Sequence, residues 1–188
     1  MHLKQGFIYH FYNRGNNKGK IFYTPSNYEF FIRKIKKYIM PYADILAWCL
    51  MPNHFHLMIE INVLSINNIT LNKSIGIMLA SYARAINLQE NRIGSLFQQH
   101  SRAVCLNSNN KIKPSWVKMT GATKLIRTNE GMSYPEVCLS YIHDNPIRAG
   151  NVFKIEYWRY SSYHEIYGGD GTHRIVNLEK VKKIVRRL

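Results

Sequence analysis

Two apolar segments joined by a tight turn constrain the fold of this chain more than any other feature. Residues 44–51 (DILAWCLM) are almost entirely apolar, as in a strand buried on both faces. Pro52 and Asn53 form a turn signal, and residues 54–61 (HFHLMIEI) follow directly, with apolar side chains at every odd position. The pattern predicts an antiparallel strand pair whose second strand packs one face on a core and presents His54 and His56 together on the other.

Apolar residues at helical spacing predict four helices around this strand pair. The first begins near Ser26, where a capping box with Glu29 supplies the start signal. The later helices are expected over residues 70–87, 135–144 and 178–188. Pro146 is expected to end the third of the four helices, because the residue before a proline is disfavoured in helical conformation. Residues 107–132 are polar and irregular, and so long a stretch is usually functional or mobile.

Two further strands complete an α+β fold. Residues 7–13 (FIYHFYN) are β-branched and aromatic, and residues 101–106 have a similar strand pattern. The order strand–helix–strand–strand–helix–strand is the ferredoxin-like pattern, an antiparallel sheet with helices packed on one face, followed here by a C-terminal helical extension. The histidine face of the sheet is then free for chemistry or lies under the last helix.

The charge of the chain points to a polyanionic partner. It carries 26 Lys and Arg against 11 Asp and Glu, a formal net charge of +15, which favours nucleic acid over a merely soluble basic protein. The three cysteines have no CxxC spacing, which indicates neither a zinc knuckle nor a disulfide framework and fits a reducing cytoplasm. No apolar stretch approaches the roughly 18 residues of a membrane span, so we expect no membrane partner.

The His54 and His56 pair is the first candidate site. Two neutral imidazoles two residues apart on a strand can hold one divalent cation between them, although a His-x-His pair alone is often incidental. Tyr141 and Asn145 form a second pair, four residues apart on one helical face. The amide oxygen of Asn145 could complete a site for Mg²⁺ or Mn²⁺ beside a tyrosine nucleophile. The same spacing also fits a packed tyrosine and a helix-capping asparagine.

Four motifs in this chain resemble those of one family. Residues 47–57 (AWCLMPNHFHL) resemble the signature of HUH-type single-tyrosine transposases, which act on single-stranded DNA. Residues 141–150 (YIHDNPIRAG) resemble the nucleophile segment of the REP-associated branch of that family. Residues 14–17 (RGNN) and 94–98 (GSLFQ) fit the same pattern, and the similarity keeps its order over roughly residues 6–165.

The resemblance implies a function and a set of roles. It implies a ferredoxin-like nuclease domain over residues 1–165, with a basic tail and helix over residues 166–188. It implies that His54, His56 and Asn145 are metal ligands and that Tyr141 is the nucleophile. Cleavage and rejoining of single-stranded or hairpin DNA would proceed through a covalent 5′-phosphotyrosine, in a cytoplasmic, nucleoid-associated protein that acts as a monomer or a homodimer. The candidates for holding phosphates are Arg14, Arg84, Arg92, Arg102 and Arg148.

Several alternatives stay open at the level of sequence. Tyr82 is a rival nucleophile, although Leu79 and Ile86 on its helix favour core packing, and Asp144 is a rival ligand, whereas His143 should face away from Tyr141. The protein could instead be a nucleic-acid-binding module without catalysis, a domesticated transposase that only binds its hairpin, or a metal-dependent hydrolase that uses water. The basic C-terminal helix could pack on the sheet, on a second subunit or on DNA.

Overall fold

Four antiparallel strands organise the part of the chain that the computed structural model describes, residues 1–108, 132–168 and 172–185. From one edge to the other the sheet runs β2, β3, β1 and β6, which is the ferredoxin-like order. The strands are β1 (Ile8–Arg14), β2 (Ala43–Met51), β3 (His54–Ile61) and β6 (Arg102–Cys105), and a separate short hairpin is formed by β4 (Ser65–Ile66) and β5 (Ile69–Thr70). The α+β prediction is confirmed.

The first two helices cover one face of the sheet, as predicted. They are α1 (Pro25–Tyr38) and α2 (Leu71–Gln89). Phe55 of β3 is fully buried under them, with its ring 5.0 Å from that of Phe31 and 5.5 Å from that of Phe11, measured between centroids. Burial of such aromatic side chains removes a large apolar area from water and holds the histidine strand in a fixed orientation.

The last two helices lie on the opposite face, which carries the histidines. They are α3 (Tyr134–Arg148) and α4 (Leu178–Ile184), and both pack against β2. A second core of buried apolar side chains forms there, among them Cys49, Met58, Ile142 and Val181. The histidine face therefore lies under the later helices, which was the second of the two arrangements that the strand pattern allowed, and the C-terminal helix packs on the sheet.

The start of α1 differs from the prediction. The helix begins at Pro25 with Thr24 as its N-cap, and the capping box pairs Thr24 with Asn27, whose Oδ1 accepts hydrogen bonds from the backbone N–H groups of Tyr23 (3.0 Å) and Thr24 (3.1 Å). The predicted capping box of Ser26 with Glu29 is therefore wrong. Proline at the first helical position is favourable because the N–H that it lacks would have no helical partner there.

Pro146 does not end α3, contrary to the prediction, because the helix continues to Arg148. A proline so close to the end removes only the hydrogen bond to the carbonyl of Ile142. The following turn still closes, since the N–H of Ala149 donates to the carbonyl of Asn145 (2.9 Å). Burial of both Asn145 and Pro146 holds the segment in place and outweighs the local preference.

Two predicted features fall outside the described residues. Most of the irregular stretch 107–132 lies there, as residues 109–131, and so do the last three residues of the predicted C-terminal helix. Among the described residues, no helix combines the length and the apolar character that crossing a membrane requires.

Candidate functional site

A pocket of about 220 Å³ opens between the sheet and the C-terminal end of α3. Strand β3 contributes His54 and His56, and α3 contributes Tyr141, Asn145 and Arg148 from the opposite wall. Its other lining residues are His10, Tyr12, Asn13, Arg14, Gln98, His100, Arg102 and Ala149. Two segments distant in sequence thus meet at one cavity.

The strand register sets the floor of this pocket. Tyr12 pairs with His56 across β1 and β3 and with Arg102 across β1 and β6, and Arg14 pairs with His54. Residues paired in this way project from the same face, so two imidazoles, two guanidinium groups and a phenol share one surface. At the edge of the pocket, the backbone N–H of Gln98 donates to the carbonyl of Arg14 (2.9 Å) and holds the two segments together.

His54 has one ring nitrogen engaged from outside the pocket. Its Nδ1 lies 2.6 Å from Oδ1 of Asn53, and the amide of Asn53 is oriented by donation from its Nδ2 to the carbonyl of Lys18 (3.1 Å). An amide oxygen can only accept, so Nδ1 of His54 donates and carries the proton. In the neutral ring Nε2 therefore keeps a lone pair.

His56 has a similar arrangement deeper in the sheet. Its Nδ1 lies 2.8 Å from Nε2 of His10, and both side chains are buried. Nε2 of His56 is also buried and makes no hydrogen bond of good geometry with any described residue. A buried polar nitrogen without such a partner costs free energy, which a metal ion bound to it would offset.

His54 and His56 are neutral at neutral pH. The pKa of His54 is lowered to about 4, chiefly by burial, which outweighs the opposing effect of the Asn145 amide; the charge of Arg14 adds a smaller lowering effect. Burial also lowers the pKa of His56 well below 6.5, helped by the neighbouring His10 and His54. Neutral imidazoles offer lone pairs, so this environment is suited to cation binding rather than to proton storage.

Asn145 lies where the two walls meet. Its side-chain amide raises the pKa of both imidazoles and lowers that of Tyr141, in each case against the larger effect of burial. Its Nδ2 donates to the carbonyl of Tyr141 (2.8 Å), which leaves the amide oxygen as an acceptor. Asn145 is therefore more than a helix cap.

Tyr141 lies against the histidines. Its ring centroid is 5.5 Å from that of His56 and 5.9 Å from that of His10, both edge-on, and the guanidinium carbon of Arg148 lies 5.5 Å from it. Burial raises the pKa of Tyr141, whereas the charge of Arg148 opposes the rise. The phenol is therefore protonated at neutral pH.

Three of the predicted arginines reach the pocket and two do not. Arg14, Arg102 and Arg148 line it. Arg84 is exposed on α2, which packs on the other face of the sheet, so it does not line this pocket, and its contact with DNA phosphates stays a prediction. Arg92 donates to the hydroxyl of Tyr23 (2.8 Å) and does not line the pocket.

The rival site residues lie elsewhere. Tyr82 is fully buried between α1 and α2, where its hydroxyl donates to the carbonyl of Ile21 (2.8 Å). His143 is buried, and its Nε2 lies 2.7 Å from Oγ of Ser162. Asp144 is exposed. Neither His143 nor Asp144 lines the pocket.

Sequence reasoning missed several lining residues on the neighbouring segments. His10 and Tyr12 occupy alternate positions of β1, and this alternation is the signal that could have placed them on one face. That this face is the one next to His56 depends on register, which sequence does not reveal. Gln98 belongs to a recognised motif but had no assigned role, and Asn13 and His100 carried no signal.

The donor set fits a divalent cation. The described residues contain no group of three or more His, Cys, Asp or Glu side chains that could hold a metal ion. Two imidazole nitrogens with an amide oxygen nevertheless form a mixed donor set that Mg²⁺ or Mn²⁺ can accept, with water and phosphate completing the shell. The buried Nε2 of His56 is the structural observation that favours such an ion.

Comparison with known proteins supports the fold. No protein-family description matches the sequence, and no curated protein is significantly similar to it. Among solved structures, the chain is similar to a REP-associated tyrosine transposase bound to a REP hairpin, with a TM-score of 0.57 and 15% identity. The similarity covers 88% of this chain and 81% of that one. The chain therefore shares the fold of a tyrosine transposase.

Proposed function

We propose that this protein is a metal-dependent transposase that cleaves and rejoins single-stranded, hairpin-bearing DNA. The observation that carries the proposal is the convergence of Tyr141 with His54, His56 and Asn145 in one pocket bordered by arginines. A tyrosine beside neutral metal-type donors is the combination that phosphoryl transfer to a phenol requires.

His54, His56 and Asn145 would hold Mg²⁺ or Mn²⁺ in this proposal. When bound, the ion supplies positive charge that polarises the scissile phosphate. Asn53, outside the pocket, contacts His54, and His10, on the pocket wall, contacts His56, in the manner of partners that orient metal ligands.

Tyr141 performs the covalent step. Its Oη forms a bond to phosphorus while the bond between phosphorus and the 3′ oxygen breaks, which leaves a 5′-phosphotyrosine and a free 3′ hydroxyl. The phenolic proton passes to water, and the departing 3′ oxygen takes up a proton. Arg148, 5.5 Å from the ring of Tyr141, favours the phenolate. Attack of a 3′ hydroxyl on the phosphotyrosine reverses these bond changes and restores the phenol without ATP.

Arg14 and Arg102 bind phosphates of the strand at the pocket floor. Both project from the face that carries the histidines: Arg14 is two residues after Tyr12 on β1, and Arg102 is paired with Tyr12 across β1 and β6. The pocket of about 220 Å³ admits an unpaired strand more readily than a duplex. The REP hairpin bound to the structurally similar transposase supports a hairpin substrate. A cytoplasmic, nucleoid-associated location and a choice between monomer and homodimer remain parts of the proposal.

A second candidate is a hairpin-binding protein that no longer catalyses, such as a domesticated transposase. The observation that favours it is the raised pKa of Tyr141, which follows from burial and makes the phenol a weak nucleophile. Binding would then use the same arginines without a covalent step.

A denaturing-gel assay separates these functions. Hairpin-bearing strands are labelled at the 3′ end, because the fragment that becomes attached to tyrosine retains that end, and in parallel at the 5′ end. We expect a Mn²⁺-dependent adduct with wild type and with Tyr82→Phe, and none with Tyr141→Phe or with chelator. Cleavage without adduct would indicate a hydrolase that uses water. Tight binding with no cleavage, over a panel of hairpins, would favour the non-catalytic protein.

A further inference from the structure

The outer face of α1 and α2 forms a basic surface on the side of the sheet opposite the pocket. Arg33, Lys36 and Lys37 of α1 are exposed there, as are Lys73 and Arg84 of α2. Lys34 joins the two helices, since its Nζ donates to Oγ of Ser81 (2.8 Å). We call these six cations the helical basic face.

No carboxylate of the described residues neutralises this face. None of its six cations forms an ion pair with a described Asp or Glu. Glu29, the acid within α1, pairs instead with His173 at 3.5 Å. Unscreened like charges at short spacing repel one another, and the phosphates of a bound polyanion would neutralise them. The counterions that the polyanion then releases further favour binding.

The aromatic rings on this face are already covered by cations. Lys34 lies 4.6 Å from the ring centroid of Phe30 and 5.6 Å from that of Tyr38. Arg33 lies 5.7 Å from the ring of Phe30, and Lys37 lies 5.4 Å from that of Tyr38. Bases of a single strand would have to displace these cations in order to stack. Phosphates need no such displacement.

We propose that the helical basic face binds the phosphate backbone of a nucleic-acid duplex, separately from the pocket. This surface goes beyond the proposed function, because it requires no catalysis and no metal. Like charge disfavours a second copy of the chain as its occupant. The face has few exposed apolar side chains, Ile77 among them, so a membrane surface fits it less well.

The test is the salt dependence of binding to a blunt hairpin without a single-stranded tail. The variant Arg33→Gln/Lys36→Gln/Lys37→Gln is compared with Lys4→Gln/Lys20→Gln/Lys154→Gln, which removes the same charge from exposed positions elsewhere. Each lost phosphate contact lowers the slope of log K against log salt by about 0.9, so we expect a decrease of about 2.7 for the first variant only. Binding of a short unstructured strand should be unchanged.

Equal slopes for the two variants would overturn the proposal, provided that circular dichroism shows both to be folded. Loss of binding to anionic vesicles, with duplex binding intact, would assign the face to membranes instead. Failure of the adduct assay bears on the pocket alone, since binding of the blunt hairpin is measured without metal.

An independent observation concerns His10, and we infer that it is a positioning residue for His56. Its Nε2 lies 2.8 Å from Nδ1 of His56, and its ring stacks on Tyr12 at 4.7 Å. If Nε2 of His10 accepts, His56 must carry its proton on Nδ1 and direct the lone pair of Nε2 into the pocket. This role rests on the metal site of the proposed function.

The tautomer of His56 is the decisive readout, because it is measured in the metal-free protein by nitrogen-15 NMR. We expect the Nδ1–H form in wild type and in His10→Gln, whose amide oxygen can accept the same bond, and the Nε2–H form in His10→Leu. Mn²⁺ affinity, followed by electron paramagnetic resonance, should fall about 10-fold or more in His10→Leu and recover in His10→Gln.

An Nε2–H tautomer in wild type would refute the positioning role, whatever the metal result. The expected tautomers without any Mn²⁺ binding would leave the hydrogen bond correct and remove the metal site itself. The two failures are therefore distinguishable.

Discussion

Exchange of the two rival tyrosines for phenylalanine should separate structure from chemistry. Tyr82 is fully buried, and its hydroxyl donates to the carbonyl of Ile21 at 2.8 Å. Tyr82→Phe leaves that carbonyl without its donor, which typically costs about 1–2 kcal/mol. In a chain of this size 1 kcal/mol shifts the melting temperature by about 2–4 °C, so we expect a decrease of roughly 2–8 °C.

Tyr141→Phe should have the opposite profile. Tyr141 lines the pocket and is only half-buried, so its hydroxyl lies outside the main apolar core that holds the fold together. We expect a melting temperature within about 2 °C of wild type, since the ring and its packing remain. Adduct formation should be lost completely, because phenylalanine has no nucleophilic oxygen.

The assays are differential scanning calorimetry in chelator and the adduct gel in Mn²⁺, on the same preparations. An adduct that persists in Tyr141→Phe but disappears in Tyr82→Phe would refute the assignment of the nucleophile. An unchanged melting temperature in Tyr82→Phe would instead refute the buried hydrogen bond.

Three further perturbations follow from the structure. Burial lowers the pKa of three histidines below their ordinary value of 6.5, to about 3 for His10, about 4 for His54 and about 3 for His143. As the pH falls, the unfolded chain takes up these protons before the folded chain does. In chelator, the free energy of unfolding should therefore decrease below about pH 6.5, by about 2 kcal/mol per histidine at pH 5. Equal free energies of unfolding in urea titrations at pH 5 and pH 7.5 would contradict this. Val181→Ala removes buried apolar volume where α4 packs on the sheet. It should lower the free energy of unfolding by roughly 1–3 kcal/mol in the same titrations, and an unchanged value would mean that α4 does not pack there. Arg102→Gln should weaken the binding of a short single strand several-fold in fluorescence anisotropy measurements, because Arg102 lines the pocket. Arg84→Gln is the control and should leave the affinity unchanged. Equal losses of affinity would mean that the strand binds outside the pocket.

Local patterns were sufficient for much of this fold. The alternation of residues 54–61 predicted that Phe55 faces the core and that both histidines face the other way, and Phe55 is indeed fully buried under α1. Side chains alternate strictly along a strand, so a single segment carries this information. The same reasoning on a helix placed Tyr141 and Asn145 side by side, and both line the pocket.

Competing local signals could not be ranked from the sequence. Pro146 predicted the end of α3, yet burial of Asn145 and Pro146 carries the helix on to Arg148. The same extension brings Arg148 within 5.5 Å of the ring of Tyr141. Propensity is a weak prior that tertiary packing overrides.

The sequence by itself determined the α+β class, the strand that carries His54 and His56, and the residues that merit a mechanistic test. The tertiary structure decided which neighbours those residues have. His10 meets His56 only because β1 pairs with β3 in one register, and a slip of one residue would have turned His10 to the opposite face. Arg14 and Arg84 are equally basic in the sequence, yet only Arg14 reaches the pocket, because helix docking and strand register depend on contacts between residues far apart in the chain.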